Sequence, residues 1–151
     1  MPATEELQAI DAIRRVKAAY CIHVDDRNWA ALRALFADDA RFEFPGLGSF
    51  DDPDSALDGM RGGLAGTTTV HHVHEPLIEL TGADSATAVW PVNDVVVREG
   101  PGRIPGYGQE FQAGHRGYGR YVERLRRVDG AWLIEHLRFE RIRMEPLEPA
   151  G

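Results

Sequence analysis

The chain has 151 residues, 43% of them hydrophobic and 27% charged, with a net charge of −7. That is an ordinary globular composition, long enough for one sizeable core, so residues 1–151 are expected to form one domain. The negative charge argues against nucleic acid, whose phosphates need a basic surface; no apolar run approaches the ~18 residues of a membrane span; and the single cysteine, Cys21, excludes an intrachain disulfide.

The opening "MPATEELQAID" is acidic and polar, unlike a signal peptide. A cytoplasmic location is expected. Residues 4–27 read as a helix. Thr4 ahead of Glu5 and Glu6 is an N-cap signal with acids in the first turn. Ile10, Ile13, Val16, Tyr20 and Val24 recur at spacings of three and four, one apolar stripe, and Cys21 falls in that pattern as a small core residue. "NWAALRALFADD" reads as a second, shorter helix with Trp29, Leu32, Leu35 and Phe36 on one face, ending at Asp38-Asp39. "ARFEFPG" alternates, with Phe42 and Phe44 on one side, and reads as a strand.

Residues 45–69 are rich in Gly, Pro, Asp and Thr, with a short helix near 53–64. From residue 70 the chain turns to strands. "VHHVHEPLIEL" and "SATAVWPVNDVVVRE" are joined by a turn around "TGAD". "GPGRIPGYGQEFQAG" is a glycine-rich loop. "HRGYGRYVERLRRV" and "AWLIEHLRFERIRM" are long strands joined by "DG", a strong hairpin signal. Helices first and antiparallel strands after give an α+β class. Helices over one face of a curved sheet would enclose a pocket between the layers, apolar with a few polar groups.

Strand alternation sorts the polar residues. On 86–97 the even set runs Ala86, Ala88, Trp90, Val92, Asp94 and Val96. Asp94 is the one charge on that row, and a carboxylate there titrates high unless it is partnered. On 115–127, Arg116, Arg120, Arg124 and Arg126 share one face, a solvated one. The other face carries His115, Tyr121 and Leu125, with Gly117 and Gly119 making room, and is the better pocket wall.

Three histidines fall within "VHHVHEP". They admit a metal reading, a purely structural one and an acid–base one. Gly66, His72, His74 and Glu79 stand near the first-motif spacing of cupins, but the stretch from Pro105 to His115 does not supply the second motif. No metal is expected. Acid–base work suits a group titrating near neutrality and needs a partner carboxylate, for which Asp25 and Asp94 are candidates.

"AIRRVKAAYCIHVDDRNWAALRALFADDARFEF", "HHVHEPLIEL", "ATAVWPVNDVV" and "GYGRYVERLRRVDGAWLIEHLRFERIRM" together resemble the SnoaL-like branch of the nuclear-transport-factor-2-like superfamily, over residues 7 to 144. The resemblance implies a cone-shaped, curved antiparallel sheet with N-terminal helices enclosing a pocket, the cystatin-like arrangement. Within the branch the pattern looks most like the scytalone and bile-acid 7α-dehydratases. Carried over by motif, their catalytic tyrosine falls on Tyr20, their first aspartate on Asp25, their histidine on His71 and the second aspartate of the bile-acid enzymes on Asp94. Parity along the strand instead puts His72 with Val70, Ile78 and Leu80, and a bulge near Pro76 would reconcile the two. Phe44 stands where scytalone dehydratase has a second tyrosine, and Tyr121 where it has an asparagine.

The expectation is a cofactor-independent lyase or isomerase, dehydratase-like, acting on a small apolar ring-containing alcohol or ketone. His71, oriented by Asp25, would remove a proton next to a carbonyl and return it to the leaving hydroxide. Tyr20 would hold the carbonyl oxygen, and Asp94 would polarise from the opposite wall. Phe44, His72, Trp90, Tyr107, Phe111, His115 and Tyr121 are the expected substrate contacts, and the glycine-rich 100–114 is an expected gate. The alternatives are an epoxide hydrolase, a polyketide cyclase, or a non-catalytic ligand-binding or subunit protein. Apolar residues on both faces of the strands, with Val89, Val95 and Val97 opposite Trp90, Val92 and Val96, predict a homo-oligomer; relatives of this kind are dimers or trimers.

Overall fold

The computed structural model describes residues 2–100, 102–104 and 106–148. The first helix, α1 (Ala3–Asp25), begins one residue before Thr4, after Pro2, and has no side-chain cap; Pro2 sets its entry instead. It buries Ala9, Ile13, Lys17, Tyr20, Cys21 and Val24, while Ile10 and Val16 are only half-buried. The apolar stripe therefore has a lysine at its centre. The helix stops at Asp25, and Arg27 then adopts a left-handed φ of 58°.

The second helix, α2 (Trp29–Arg33), is capped by the Asn28 side chain and is shorter than expected. Phe36 already belongs to β1 (Phe36–Phe44), so Asp38 and Asp39 are exposed strand residues rather than a helix stop. Tertiary pairing overrides local propensity here, because Phe36 registers with Ile134 in the core. A short β2 (Gly48–Phe50) follows, then α3 (Pro53–Gly63), started by Asp52, whose carboxylate accepts from Ser55 N–H.

The remaining strands are β3 (Thr67–Val73), β4 (Leu77–Gly82), β5 (Ser85–Arg98), β6 (Gly114–Val128) and β7 (Ala131–Pro146). The sheet order is β2-β1-β7-β6-β5-β3, with β4 also on β5. The expectation of a wholly antiparallel sheet fails at one seam. β1 lies parallel to β7, which brings the first strand beside the last and makes the open, curved sheet mixed. Asp129 (φ 49°) and Gly130 (φ 84°) form the two-residue turn between β6 and β7, with both residues left-handed as a type I′ turn requires.

"VHHVHEPLIEL" is not one strand. It breaks at His74–Pro76 into β3 and β4, which pair side by side along β5. Pro76 carries no N–H to continue the ladder. The break changes the phase of the side chains: His71 and Thr69 face inward from β3, whereas Ile78 and Leu80 face inward from β4. A second phase change lies in β7. Leu125 registers with Ile134 but Arg124 with His136, so Glu135 is an extra residue. Beyond it the inward set becomes Leu137, Phe139 and Arg141. α1 lies over the concave face, and the core between them contains Tyr20, Phe36, Phe42, Trp90, Tyr121, Trp132 and Leu137.

Candidate active site

Between the helices and the sheet lies a cavity of about 120 Å³. Tyr20 and Val24 of α1, Phe44 and Leu47, Met60 and Leu64, and Ile104 and Phe139 give it an apolar wall. His71, Asp94, His115, Tyr107, Tyr121 and Arg141 supply the polar groups. Gly46 and Gly106 close one side: both have left-handed φ, and a Cβ on Gly106 would lie 1.8 Å from the Gly46 carbonyl oxygen. Only backbone without side chains permits that approach.

Asp25, the last residue of α1, stands behind His71. Its Oδ1 lies 2.7 Å from His71 Nδ1 and accepts from the Thr69 hydroxyl at 2.9 Å; its Oδ2 accepts the His71 backbone N–H at 2.9 Å. Burial would raise the Asp25 carboxyl, but the hydrogen bonds from the His71 ring and backbone overcome it and hold the group below the ordinary range. An ionised carboxylate can only accept, so Nδ1 of His71 carries a proton toward Asp25, and Nε2 is the ring nitrogen left for the cavity. Arg27 supports the pair from outside. One nitrogen of its guanidinium donates to the Val24 carbonyl (2.6 Å) and the Thr69 hydroxyl (2.8 Å), the other to Thr67.

Asp94 is the direct register partner of His71 on the neighbouring strand, so it sits beside the imidazole and not on the opposite wall. Its Oδ1 accepts from Arg141 Nη1 at 2.6 Å, and its Oδ2 from His115 Nε2 at 3.0 Å. Burial pushes its carboxyl up, yet the bonds from His115 and Arg141, with the charge of Arg141, hold it well below the usual carboxylate range. The partners that strand parity alone did not reveal thus reverse the expected direction. Gly117 lies between Asp94 and Arg141 across β6, and a Cβ there would meet Arg141 Nη1 at 1.9 Å. Arg141 was hidden from sequence reasoning, because parity counted from Trp132 and Ile134 points it outward until the bulge at Glu135 is known.

Tyr20 is buried, and burial holds its phenol far above the ordinary value, so it stays a donor. Its ring meets Tyr121 edge-on with centroids 5.5 Å apart. Behind the two rings the Lys17 ammonium lies 4.0 and 3.4 Å from their centroids. It donates to Glu123 at 2.6 Å, and Glu123 also accepts Trp90 Nε1 at 2.9 Å. Lys17 and Glu123 were missed; the one available signal was a lysine interrupting the apolar stripe.

Three expected contacts lie elsewhere. His72 is exposed on the outer face, one position out of phase with His71. Trp90 is core, its indole spent on Glu123. Phe111 packs on Tyr107 with centroids 6.2 Å apart but is not in the cavity wall. Phe44, Tyr107, His115 and Tyr121 are in the wall. Cys21 is buried, which pushes its thiol up to about 11. Among the described residues no group of three or more His, Cys, Asp or Glu side chains is placed to hold a metal, and no helix is long and apolar enough to cross a membrane.

Known structures share this architecture. A hexachlorocyclohexane dehydrochlorinase, LinA type 2, superposes with a TM-score of 0.82 at 22% identity, over 97% of this chain and 94% of that one. LinA type 3 from Novosphingobium barchaimii gives 0.78 at 21%, over 97% and 95%. A candidate scytalone dehydratase from Novosphingobium aromaticivorans gives 0.77 at 20%, over 98% and 93%. At such identities the likeness is one of fold. No curated protein matches the sequence. The profile of the SnoaL-like domain matches residues 5–138, from the first turn of α1 to the middle of β7, and so takes in every element that frames the cavity: the chain belongs to the SnoaL-like domain family.

Proposed function

We propose that the protein is a cofactor-independent lyase of the dehydratase type, acting on a small apolar ring-containing alcohol or ketone. The observation that carries the proposal is the His71–Asp25 pair, with Nδ1 engaged at 2.7 Å and the other ring nitrogen left for a largely apolar cavity. His71 Nε2 takes the proton from the carbon next to a carbonyl. The electron pair moves into an enolate whose oxygen is held by the Tyr20 hydroxyl. The enolate collapses to a carbon–carbon double bond as hydroxide leaves, and the imidazolium returns its proton to make water. Asp25 and the nearby Asp94 both favour the imidazolium while it exists. A dehydrochlorinase and a dehydratase each remove a proton and a leaving group across one bond, and the fold shared with such neighbours supports the reading. Tyr107 gates the cavity from the glycine-rich loop. The exposed Val70 and Val97 on the outer sheet face pair copies of the chain into a homo-oligomer.

The test needs no knowledge of the natural substrate. 2-Tetralone in D₂O exchanges its α-hydrogens only as fast as a base removes them. Wild type should accelerate the exchange seen by NMR, and His71→Ala and Asp25→Asn should each lose about 10²–10⁴-fold of that acceleration, the usual scale for a positioned base. Equal exchange in wild type and both variants removes the dyad from the chemistry.

A further inference from the structure

A residue other than glycine in the left-handed region is an outlier that asks for a reason. α1 ends in the pattern that commonly closes on a left-handed glycine: the Asn28 N–H donates to the His23 carbonyl at 2.9 Å and the Arg27 N–H to the Val24 carbonyl at 3.2 Å. The left-handed position is Arg27, at φ 58°, where glycine would sit without strain. The strain is kept for the side chain. The guanidinium is part-buried, and its two terminal nitrogens direct all four of their hydrogens. Nη1 donates to the Val24 carbonyl at 2.6 Å and to Thr69 Oγ1 at 2.8 Å; Nη2 donates to the Thr67 carbonyl at 2.8 Å and to Thr67 Oγ1 at 3.1 Å.

Two consequences reach the His71–Asp25 pair. Asp25 is the last residue of a 23-residue helix, where unpaired carbonyls make a carboxylate unfavourable, and Arg27 sets a cation on one of those carbonyls. A guanidinium can only donate, so Thr69 Oγ1 accepts from it and keeps its own hydrogen for Asp25 Oδ1, 2.9 Å away, the atom that also faces His71 Nδ1. Thr67 behaves alike: its hydroxyl accepts from Arg27 and donates to the Leu64 carbonyl at 2.7 Å, which ties in the C-cap of α3 on the cavity wall. One planar fork thus joins the helix carrying Asp25, the strand carrying His71 and the end of α3. A lysine has the charge but only three hydrogens on one atom, and cannot span these acceptors.

We infer that Arg27, which stands outside the cavity wall, is a positioning residue for the His71–Asp25 pair, holding the carboxylate through the Thr69 hydroxyl and the end of α1. The inference rests on the lyase reading for the work that the pair does. The groups that bear on Asp25 are His71 from β3, Arg27 itself, and Tyr20 and Cys21 from α1, both kept uncharged by burial, with Asp94 of β5 beyond His71.

The full chain labelled with ¹³Cγ-aspartate gives the Asp25 titration by NMR without any substrate. Arg27→Lys should raise the Asp25 midpoint by about half a pH unit, because the ionised form loses a fixed donor. In a Thr69→Val background the same change should add less than half of that shift. Arg27→Gly, whose backbone suits φ 58°, should raise the midpoint too and serves where the lysine variant does not fold. In the 2-tetralone assay, Arg27→Lys should lower the exchange rate about tenfold with the half-saturating ketone concentration unchanged. An unmoved Asp25 midpoint, an equal shift with and without the Thr69 hydroxyl, or a raised half-saturation at full rate each overturns the inference. Wild type that exchanges nothing, with Asp25 moving as stated, removes the lyase reading and leaves the positioning of the pair standing.

Discussion

Gly117→Ala is the smallest change that reaches the polar end of the cavity. The new Cβ would lie 1.9 Å from Arg141 Nη1 and 2.5 Å from Asp94 Oδ1. Real Cβ contacts do not fall below about 3 Å, so the guanidinium must retreat by roughly 1 Å, and its 2.6 Å bond to Asp94 passes out of hydrogen-bond range. The Asp94 side chain is 5% exposed and that of Arg141 16%, so the carboxylate left behind keeps only His115. Removing one partner of a buried pair costs about 3–5 kcal/mol, against about 1–3 for overpacking by one methyl. A loss near 3 kcal/mol is expected, which for a chain of this length lowers the thermal midpoint by about 6–12 °C. Urea denaturation followed by tryptophan fluorescence measures it. In an Arg141→Ala background the tighter clash and the bond it breaks are both gone, only the approach to Asp94 Oδ1 at 2.5 Å remains, and the same glycine substitution should cost distinctly less. An equal cost in both backgrounds would refute the argument, because the methyl would then be colliding with something other than the guanidinium.

Lys17→Met should destabilise by about 3–5 kcal/mol, since it strands the Glu123 carboxylate in the core; Lys17→Met with Glu123→Gln, which keeps an acceptor for Trp90, should recover most of that in urea titrations. Asp25 and Asp94 titrate lower in the folded protein than the roughly 3.9 of an unfolded aspartate, so their contribution to stability is full above that pH and drains away as pH falls toward the folded values. The urea midpoint should therefore fall below about pH 4, and more gently in Asp94→Asn than in wild type; identical slopes would discard the paired-carboxylate account. Thr69→Val removes one of the three hydrogen bonds on Asp25 and should move the acid limb of the exchange activity to higher pH with a stability loss near 1 kcal/mol, whereas an unmoved limb means the hydroxyl does not tune the dyad. Gly106→Ala forces the loop off Gly46 and should speed proteolytic cleavage within 100–114 and weaken ligand binding; unchanged cleavage and affinity would show that the loop does not close the cavity.

Much of this protein is local, and local features are legible in a sequence. The stripe of α1, the short α3, the alternation of β5 and β6 and the Asp-Gly turn each follow from a repeat of 3.6 or 2 residues or from one dihedral demand, and together they lead to the family and to Tyr20, Asp25 and His71. What tertiary structure alone decided is direction and partnership. On a strand one residue reverses every side chain beyond it, and whether that residue is accommodated depends on the neighbouring strand. The break at His74–Pro76 therefore turns His71 inward and His72 outward, and the extra Glu135 swings Arg141 from solvent to Asp94. Parallel pairing of β1 with β7, and the bond between Lys17 and Glu123 across 106 positions, likewise join residues with no shared local period. Burial made Lys17 and Glu123 a pair, because neither charge is tolerable inside without the other, and that condition exists only once the chain has closed around them.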